Sequence, residues 1–294
     1  MPAAVAVKQR FCSLRAAITP FIQVIRTVPG RQTPLTEGIL DTMAICSPNS
    51  ILITGASSGI GAGLASSYAN KGITLFLSGR DTERLEAIAE QCRSAGAVVH
   101  TRALDVTAKA EMHRWITECD TMNPIDLVIA NAGVSSPHPT DTTNNDDIFR
   151  INVTGVLNTI TPVIPAMQAR KRGQLALMSS LAGLRGLPSA PVYSASKVAV
   201  RAYGEALRPL LAGDGICVNV IMPGFVVSRI TDQNRFSMPM LMPAAKSAQI
   251  IKRGLSRDRA RIAFPFPMYA LAWSIAILPN VIADALLVRL PRKG

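Results

Sequence analysis

The stretch Ile51-Leu52-Ile53-Thr54-Gly55-Ala56-Ser57-Ser58-Gly59-Ile60-Gly61 decides how this chain folds. Its first three residues are apolar and mostly β-branched, which predicts a short buried strand. Beyond it, Leu64, Ala65 and Tyr68 recur at helical spacing and predict a helix over about 62–71. The glycines therefore fall where a strand turns into a helix. Bare backbone there lets a pyrophosphate approach, and the helix N-terminus offers free N–H groups and the positive end of a dipole. Gly55, Ser57, Ser58, Gly59, Ile60 and Gly61 are the first candidate binding residues, and Gly61 also lets the helix pack close to the strand. A glycine turn without a ligand has the same sequence, so the motif needs support from the rest of the chain.

The next strands follow at regular intervals. Residues 74–78 form an apolar run, and a helix is expected over 82–92 with Leu85, Ile88 and Ala89 on one side. A dinucleotide site often places an acid at the end of this second strand to hold the ribose 2′-hydroxyl. Here the strand ends in Gly79-Arg80-Asp81. Arg80 suits a 2′-phosphate, and Asp81, one place later, reads as the N-cap of the next helix. The inference is NADP(H) rather than NAD(H), against the alternative of a solvated arginine. A third strand over 98–101 leads to Asp105, a helix carries Met112, Trp115 and Ile116, and a fourth strand over 127–130 ends at Asn131-Ala132-Gly133. This alternation predicts a doubly wound parallel sheet with ligands at the carboxyl ends of the strands. Asp105, Asn131 and Gly133 sit at such ends, where they either meet the adenosine or cap turns.

In the second half, a single long helix is expected over 145–169, with Asn152 in its interior as either a structural bond or part of a polar network. A fifth strand over 175–178 ends at Ser179-Ser180. The following helix opens near Ala190, carries Tyr193 and Lys197, and is expected to kink or stop at Pro209. Four residues apart, Tyr193 and Lys197 share one helix face. An ammonium beside a phenol, together with the cation of an oxidised nicotinamide, favours the phenolate. Such a phenol exchanges a proton with an alcohol oxygen while hydride moves at carbon. A sixth strand over 217–222 ends at Pro223-Gly224, and Ser228 follows.

These pieces resemble the classical short-chain dehydrogenase/reductase family. The matching residues are the glycine turn over 54–61, Asn131-Ala132-Gly133, Asn152, Ser180, Tyr193-Ser194-Ala195-Ser196-Lys197 and Pro223-Gly224. The resemblance covers roughly residues 50–230. It implies that Tyr193 is the general acid/base, that Lys197 lowers the tyrosine pKa and holds the nicotinamide ribose, and that Ser180 bonds the substrate oxygen. It implies a water held by Asn152, cofactor contacts from Pro223 and Gly224, and a carboxamide contact from Ser228, where the family often has threonine. Ala130 stands where the family usually has asparagine, with Asn131 keeping the contacting place. The fold class expected is α/β: a Rossmann-like doubly wound parallel sheet with helices on both faces, in one domain over 43–264. A small substrate lid is expected over about 229–254, with Met238, Met240 and Met242 as an adaptable apolar wall. The activity implied is NADP(H)-dependent hydride transfer to or from a hydrophobic carbonyl or secondary alcohol, in a homo-oligomer, dimer or tetramer. A catalytically silent NADP(H) sensor or scaffold is the competing class, which the intact Ser180, Tyr193 and Lys197 disfavour.

Composition narrows the remaining possibilities. The chain has 294 residues, room for one domain with appendages, and a formal net charge of +12. Aromatic residues are only 5% and no nucleic-acid motif is present, so a nucleic-acid partner is not expected. Five scattered cysteines without CxxC spacing argue against disulfides and a metal site, fit a reducing compartment, and point to the cytoplasm. The segment 1–42 is basic, with no acid before Glu37, and is interrupted by Pro20, Pro29 and Pro34. A poorly ordered extension is the preferred reading, with a mitochondrial transit peptide as the lesser alternative. After a seventh strand over 261–264, residues 265–294 form a hydrophobic helical extension. Residues 262–283 carry no charge, and Arg257, Arg259 and Arg261 precede them as Arg289, Arg292 and Lys293 follow. Three readings compete: a wall of the substrate cleft or a dimer interface, peripheral membrane contact, and a membrane span. The cleft wall is preferred.

Overall fold

The apolar run before the glycine turn becomes β1 (Ser50–Thr54), buried at every position. The computed structural model describes residues 47–135, 145–232 and 238–289. Within them, six further strands lie parallel in one sheet: β2 (Thr74–Gly79), β3 (Val98–Ala103), β4 (Leu127–Ala130), β5 (Gly173–Met178), β6 (Ile216–Pro223) and β7 (Arg261–Phe264). Their order is β3-β2-β1-β4-β5-β6-β7. The helices are α1 (Gly59–Tyr68), α2 (Thr82–Ser94), α3 (Lys109–Met122), α4 (Asn145–Phe149), α5 (Gly155–Ile160), α6 (Ile164–Ala169), α7 (Pro191–Ala212), α8 (Arg229–Asp232), α9 (Ala244–Leu255), α10 (Phe266–Ile277) and α11 (Asn280–Leu287).

Strand register explains why the central strands are apolar throughout. Ile51, Leu52 and Ile53 lie opposite Leu75, Phe76 and Leu77 on one side and Leu127, Val128 and Ile129 on the other. Side chains alternate between faces, so a strand covered on both faces has no solvent side. Ile51, Ile53, Leu75 and Leu77 pack with Leu64, Leu85 and Ile251 on one face. Leu52, Phe76 and Val128 pack with Met112, Trp115 and Ile160 on the other. Each such fully buried side chain contributes about 1.5–3 kcal/mol relative to exposure. The doubly wound parallel sheet expected from sequence is therefore present. After β3 the chain crosses back to place β4 on the far side of β1. That reversal opens a crevice at the carboxyl ends of β1 and β4, where such sheets bind ligands.

One expectation is corrected and one is narrowed. The single helix over 145–169 is broken. A π-helical turn, Arg150–Thr154, separates α4 from α5, with the Gly155 N–H reaching the Arg150 carbonyl five residues back. Pro162 and Pro165 then lack the N–H groups a continuous helix needs, and a turn separates α5 from α6. Pro209, by contrast, does not stop α7, which continues to Ala212. Leu207 and Leu211 are buried on the sheet and hold the last turn in place. The N-terminal segment 1–42 and residues 233–237 of the expected lid lie outside the described residues.

The glycine turn is also a packing constraint. A Cβ on Gly61 would sit 2.2 Å from the Gly55 carbonyl oxygen and 2.6 Å from Asn131 Nδ2. Backbone cannot yield cheaply there, so Gly61→Ala is expected to cost about 1–3 kcal/mol through overpacking, read as a lowered midpoint in urea denaturation. An unchanged midpoint would show that the close packing of α1 on β1 is not needed.

Candidate active site

The carboxyl ends of the strands and the loops beyond them enclose a cavity of about 650 Å³. The chain ordering that puts β1, β4, β5 and β6 side by side brings nearly every residue singled out from sequence into its lining. Gly55, Ser57, Ser58, Gly59 and Ile60 come from the first turn, Arg80 from the end of β2, Asp105 from beyond β3, and Asn131 and Gly133 from the end of β4. Ser180, Tyr193, Lys197, Pro223, Gly224 and Ser228 complete the lining. Gly61 and Asn152 do not line it.

The first turn is built for close approach. Gly55 and Gly59 hold φ of +67° and +54°, a region costly for other residues. A Cβ on Gly55 would lie 2.8 Å from the Ala132 Cα, and one on Gly59 would lie 2.9 Å from the Ser228 Cβ. Asn131 clamps the turn: its Nδ2 donates to the carbonyls of Thr54 at 2.9 Å and Gly55 at 3.1 Å. Ser58 precedes α1 in an extended conformation and makes no side-chain cap bond.

At the end of β2, Asp81 behaves as the sequence indicates. Its Oδ1 accepts from the Arg84 N–H at 3.0 Å, and its Oδ2 accepts from Arg84 Nε at 2.7 Å and also pairs with Nη2. The carboxylate nearest the strand end is thereby engaged, while Arg80 is exposed and lines the cavity. Asp105 caps its own turn by accepting from the Thr107 N–H at 2.8 Å. Partial burial works against its charge, but those hydrogen bonds and the Arg80 and Arg150 guanidiniums outweigh it and hold the carboxyl below its usual range.

Asn152 sits fully buried in the π-helical turn. Its Oδ1 accepts from the Val134 N–H at 2.8 Å. Its Nδ2 donates to the Val134 carbonyl at 2.9 Å and to Ser196 Oγ at 3.0 Å. It thus ties the loop after β4 to α7 one residue before Lys197. Lys197 is itself buried, donates from Nζ to the Met178 carbonyl at 2.9 Å, and lies 5.6 Å from the centroid of the Tyr193 ring. Burial lowers its pKa from 10.5 to about 8. Ser180 Oγ accepts from the Ala182 N–H at 3.1 Å and faces the Pro223 carbonyl at 3.4 Å.

Burial pushes the Tyr193 phenol above its ordinary value, with the Ser180 hydroxyl pulling it only partly back. The Lys197 ammonium is turned to a backbone carbonyl.

Several lining residues were not singled out. Thr231 is buried, and its Oγ1 accepts from the Ser228 N–H at 2.8 Å, which fixes the Ser228 loop. Arg185 donates to Asn280 Oδ1 at 3.1 Å and faces Asp284 at 3.6 Å, joining the loop after β5 to α11. Met268, Leu271, Ala272 and Ile275 of α10 and Leu287 of α11 form an apolar wall of the cavity. The uncharged run was the visible signal for the wall. Nothing local marked Thr231 or Arg185, whose partners lie far along the chain or follow from one loop's shape. Among the described residues no cluster of side chains suits a metal ion, and no helix is long and apolar enough to cross a membrane.

A family model described as short chain dehydrogenase matches residues 49–238. An uncharacterized oxidoreductase of Myxococcus xanthus is 39% identical over 257 residues, covering 84% of this chain and 100% of its own. Among solved structures, a short-chain dehydrogenase from Sphingobium yanoikuyae in complex with NADPH superposes with TM-score 0.70 at 24% identity, over 83% of this chain and 97% of that one. A Burkholderia phymatum short chain dehydrogenase/reductase in complex with NAD gives TM-score 0.71 at 23% identity, over 83% and 96%.

Lys197 gives a pH test. Its pKa is depressed in the folded state, so between about 8 and 10.5 the unfolded chain binds the proton that the folded chain has lost. Stability from this group therefore rises with pH across that window and its cost is full below it. Relative to Lys197→Met, the ligand-free protein is expected to gain about 3 kcal/mol between the two limits, read by urea denaturation at each pH. Parallel profiles for the two proteins would show that Lys197 is not titrating there.

Proposed function

The chain belongs to the short-chain dehydrogenase family of oxidoreductases, and from that premise we propose that it transfers hydride between NADP(H) and a hydrophobic carbonyl or secondary alcohol. The observation that carries the reading is the convergence of Ser180, Tyr193 and buried Lys197 on the same cavity that the glycine turn lines. The turn fits a dinucleotide, because Gly55, Ser57, Ser58, Gly59 and Ile60 line the cavity where the N-terminus of α1 opens onto it, with N–H groups suited to a pyrophosphate. Gly55, Ser57, Ser58, Gly59 and Ile60 would hold the phosphates, Asp105 and Asn131 the adenosine side, Gly133 the stretch beside Lys197, and Pro223, Gly224 and Ser228 the nicotinamide. Gly61 serves by packing.

The bound cofactor supplies or removes the hydride at the substrate carbon. In reduction, Ser180 donates a hydrogen bond to the carbonyl oxygen and Tyr193 gives that oxygen its proton, leaving an alcohol and a phenolate. In oxidation the same proton returns to Tyr193 as the carbonyl forms. A phenol held above its ordinary pKa stands protonated at neutral pH, ready to donate. The Lys197 ammonium, charged below about pH 8, favours the phenolate left behind. Asn152 acts as a positioning residue, holding the loop after β4 against α7.

NADP(H) is proposed over NAD(H) because, of the two charged residues that line the cavity at the end of β2, Asp81 is spent on its helix and on Arg84 while Arg80 is exposed. A guanidinium there can form charge-assisted bonds with a 2′-phosphate. The apolar wall opposite Tyr193 supports an uncharged, hydrophobic substrate.

Two measurements test this. Tyr193→Phe is expected to lower kcat by about 10²–10⁴-fold, since general acid catalysis is lost, with NADPH affinity nearly unchanged. Turnover surviving the change would refute the proton role. No turnover by the unaltered protein across a broad panel of ketones, aldehydes and alcohols would favour a silent NADP(H)-binding protein. Arg80→Asp is expected to weaken NADPH binding by about 10–100-fold, the worth of a charge-assisted contact, while NADH binding holds or improves. Equal affinities for the two cofactors in the unaltered protein, by fluorescence titration, would overturn the preference.

A further inference from the structure

We propose that the outer face of α10 and α11 docks on an anionic lipid bilayer, and that the cavity behind it takes its substrate, a neutral lipophilic ketone or alcohol, from that bilayer. The substrate half rests on the oxidoreductase reading above.

Helix α10 carries no charged residue on any side. Met268, Ala272 and Ile275 line the cavity, while Phe266, Trp273 and Ile277 point outward with 74%, 47% and 63% of their surface exposed. Helix α11 repeats the pattern, with Ala283 and Leu287 buried and Val281, Ile282 and Leu286 exposed. An uncharged helix with large apolar side chains both inward and outward belongs against an apolar medium, and exposed apolar side chains in this number mark an interaction surface. Leu271 lines the cavity yet is 62% exposed, so the inner apolar surface runs into the outer one.

Charge selects the occupant. Asp284 is the one charged residue of the two helices, and Arg185 neutralises it. Arg289 follows, exposed, and the sequence continues with Arg292 and Lys293. A two-fold contact between copies would set Arg289 on both sides, where the one acid of the two helices, Asp284, is already paired. Anionic headgroups complement the cations, at about 1 kcal/mol per cation near the surface. At 12 and 8 residues the helices are too short to cross a bilayer, so they lie in its interface. Trp273 suits that boundary.

The chain has two tryptophans, so Trp115→Phe leaves Trp273 as the sole reporter in the full-length protein. This protein is expected to float with phosphatidylcholine–phosphatidylglycerol vesicles, to release with added salt, and to show Trp273 quenching by brominated lipid. Trp273→Glu with Val281→Glu should abolish flotation and lower kcat/KM by about tenfold or more on a long-chain ketone carried in those vesicles. Turnover of a short water-soluble ketone should be kept. Absence of flotation and quenching, or equal losses on both ketones, would overturn the proposal. So would a dimer in sedimentation that the double variant dissociates while vesicles are ignored, which assigns the face to a second copy. Flotation with no turnover of any ketone by the unaltered protein would instead overturn the oxidoreductase reading and leave the docking standing.

Discussion

The structure depends on the contact where β1 turns into α1 beside the end of β4. Thr54 and Gly55 are bonded from both neighbouring strands. The Asn131 N–H reaches Thr54 Oγ1 at 3.1 Å, the Asn131 side chain takes both carbonyls, and the Ala56 N–H reaches the Ser78 carbonyl at 2.9 Å. Gly61 permits this by leaving no Cβ against the Gly55 carbonyl. One arrangement therefore closes the sheet's central seam and leaves the helix N-terminus open toward the crevice. Stability and the binding cradle share the same atoms, so substitutions there are expected to damage both together.

The buried lysine makes the opposite bargain. Taking an ammonium out of water is costly, and the Met178 carbonyl is the hydrogen-bond acceptor seen for it. Its depressed pKa is the sign of that cost. Gly133 lies close by, where a Cβ would come within 3.1 Å of Asn152 Oδ1 and 3.4 Å of Lys197 Nζ. The Asn152 bonds, the Ser196 hydroxyl and the Ser179 hydroxyl on the Lys197 carbonyl at 2.7 Å form a supporting frame. A polar frame of this density, in a core otherwise apolar, fits a position held for chemistry more than for stability.

The C-terminal helices unite the two remaining puzzles of the sequence, the uncharged run and the net charge. Their inner residues complete the cavity, which supports the preferred reading of the run as a cleft wall. Their outer residues leave the same segment with an exposed apolar face. A wall and a docking surface are compatible because a helix has two sides, a point that linear sequence obscures.

Local pattern carried most of the fold. Short β-branched runs, amphipathic helices and glycine placement identify the alternating elements because those signals arise within a few residues. Asp81 as an N-cap is equally local. The break at Arg150–Thr154 was less legible, since a π-helical turn is selected by what Asn152 must reach, 18 positions earlier at Val134 and 44 later at Ser196. The residues of the candidate site were readable as types at intervals, yet only strand order places Ser180, Lys197 and Gly55 on one cavity. The surroundings of Tyr193 also belonged to the tertiary structure: burial, which only packing determines, raises its pKa, a contribution that the spacing of Tyr193 and Lys197 does not carry. The sequence by itself determined which segments become strands and helices and which side chains can do proton chemistry. Packing decided which of them meet, how dry they are, and which face of the last helices is left bare.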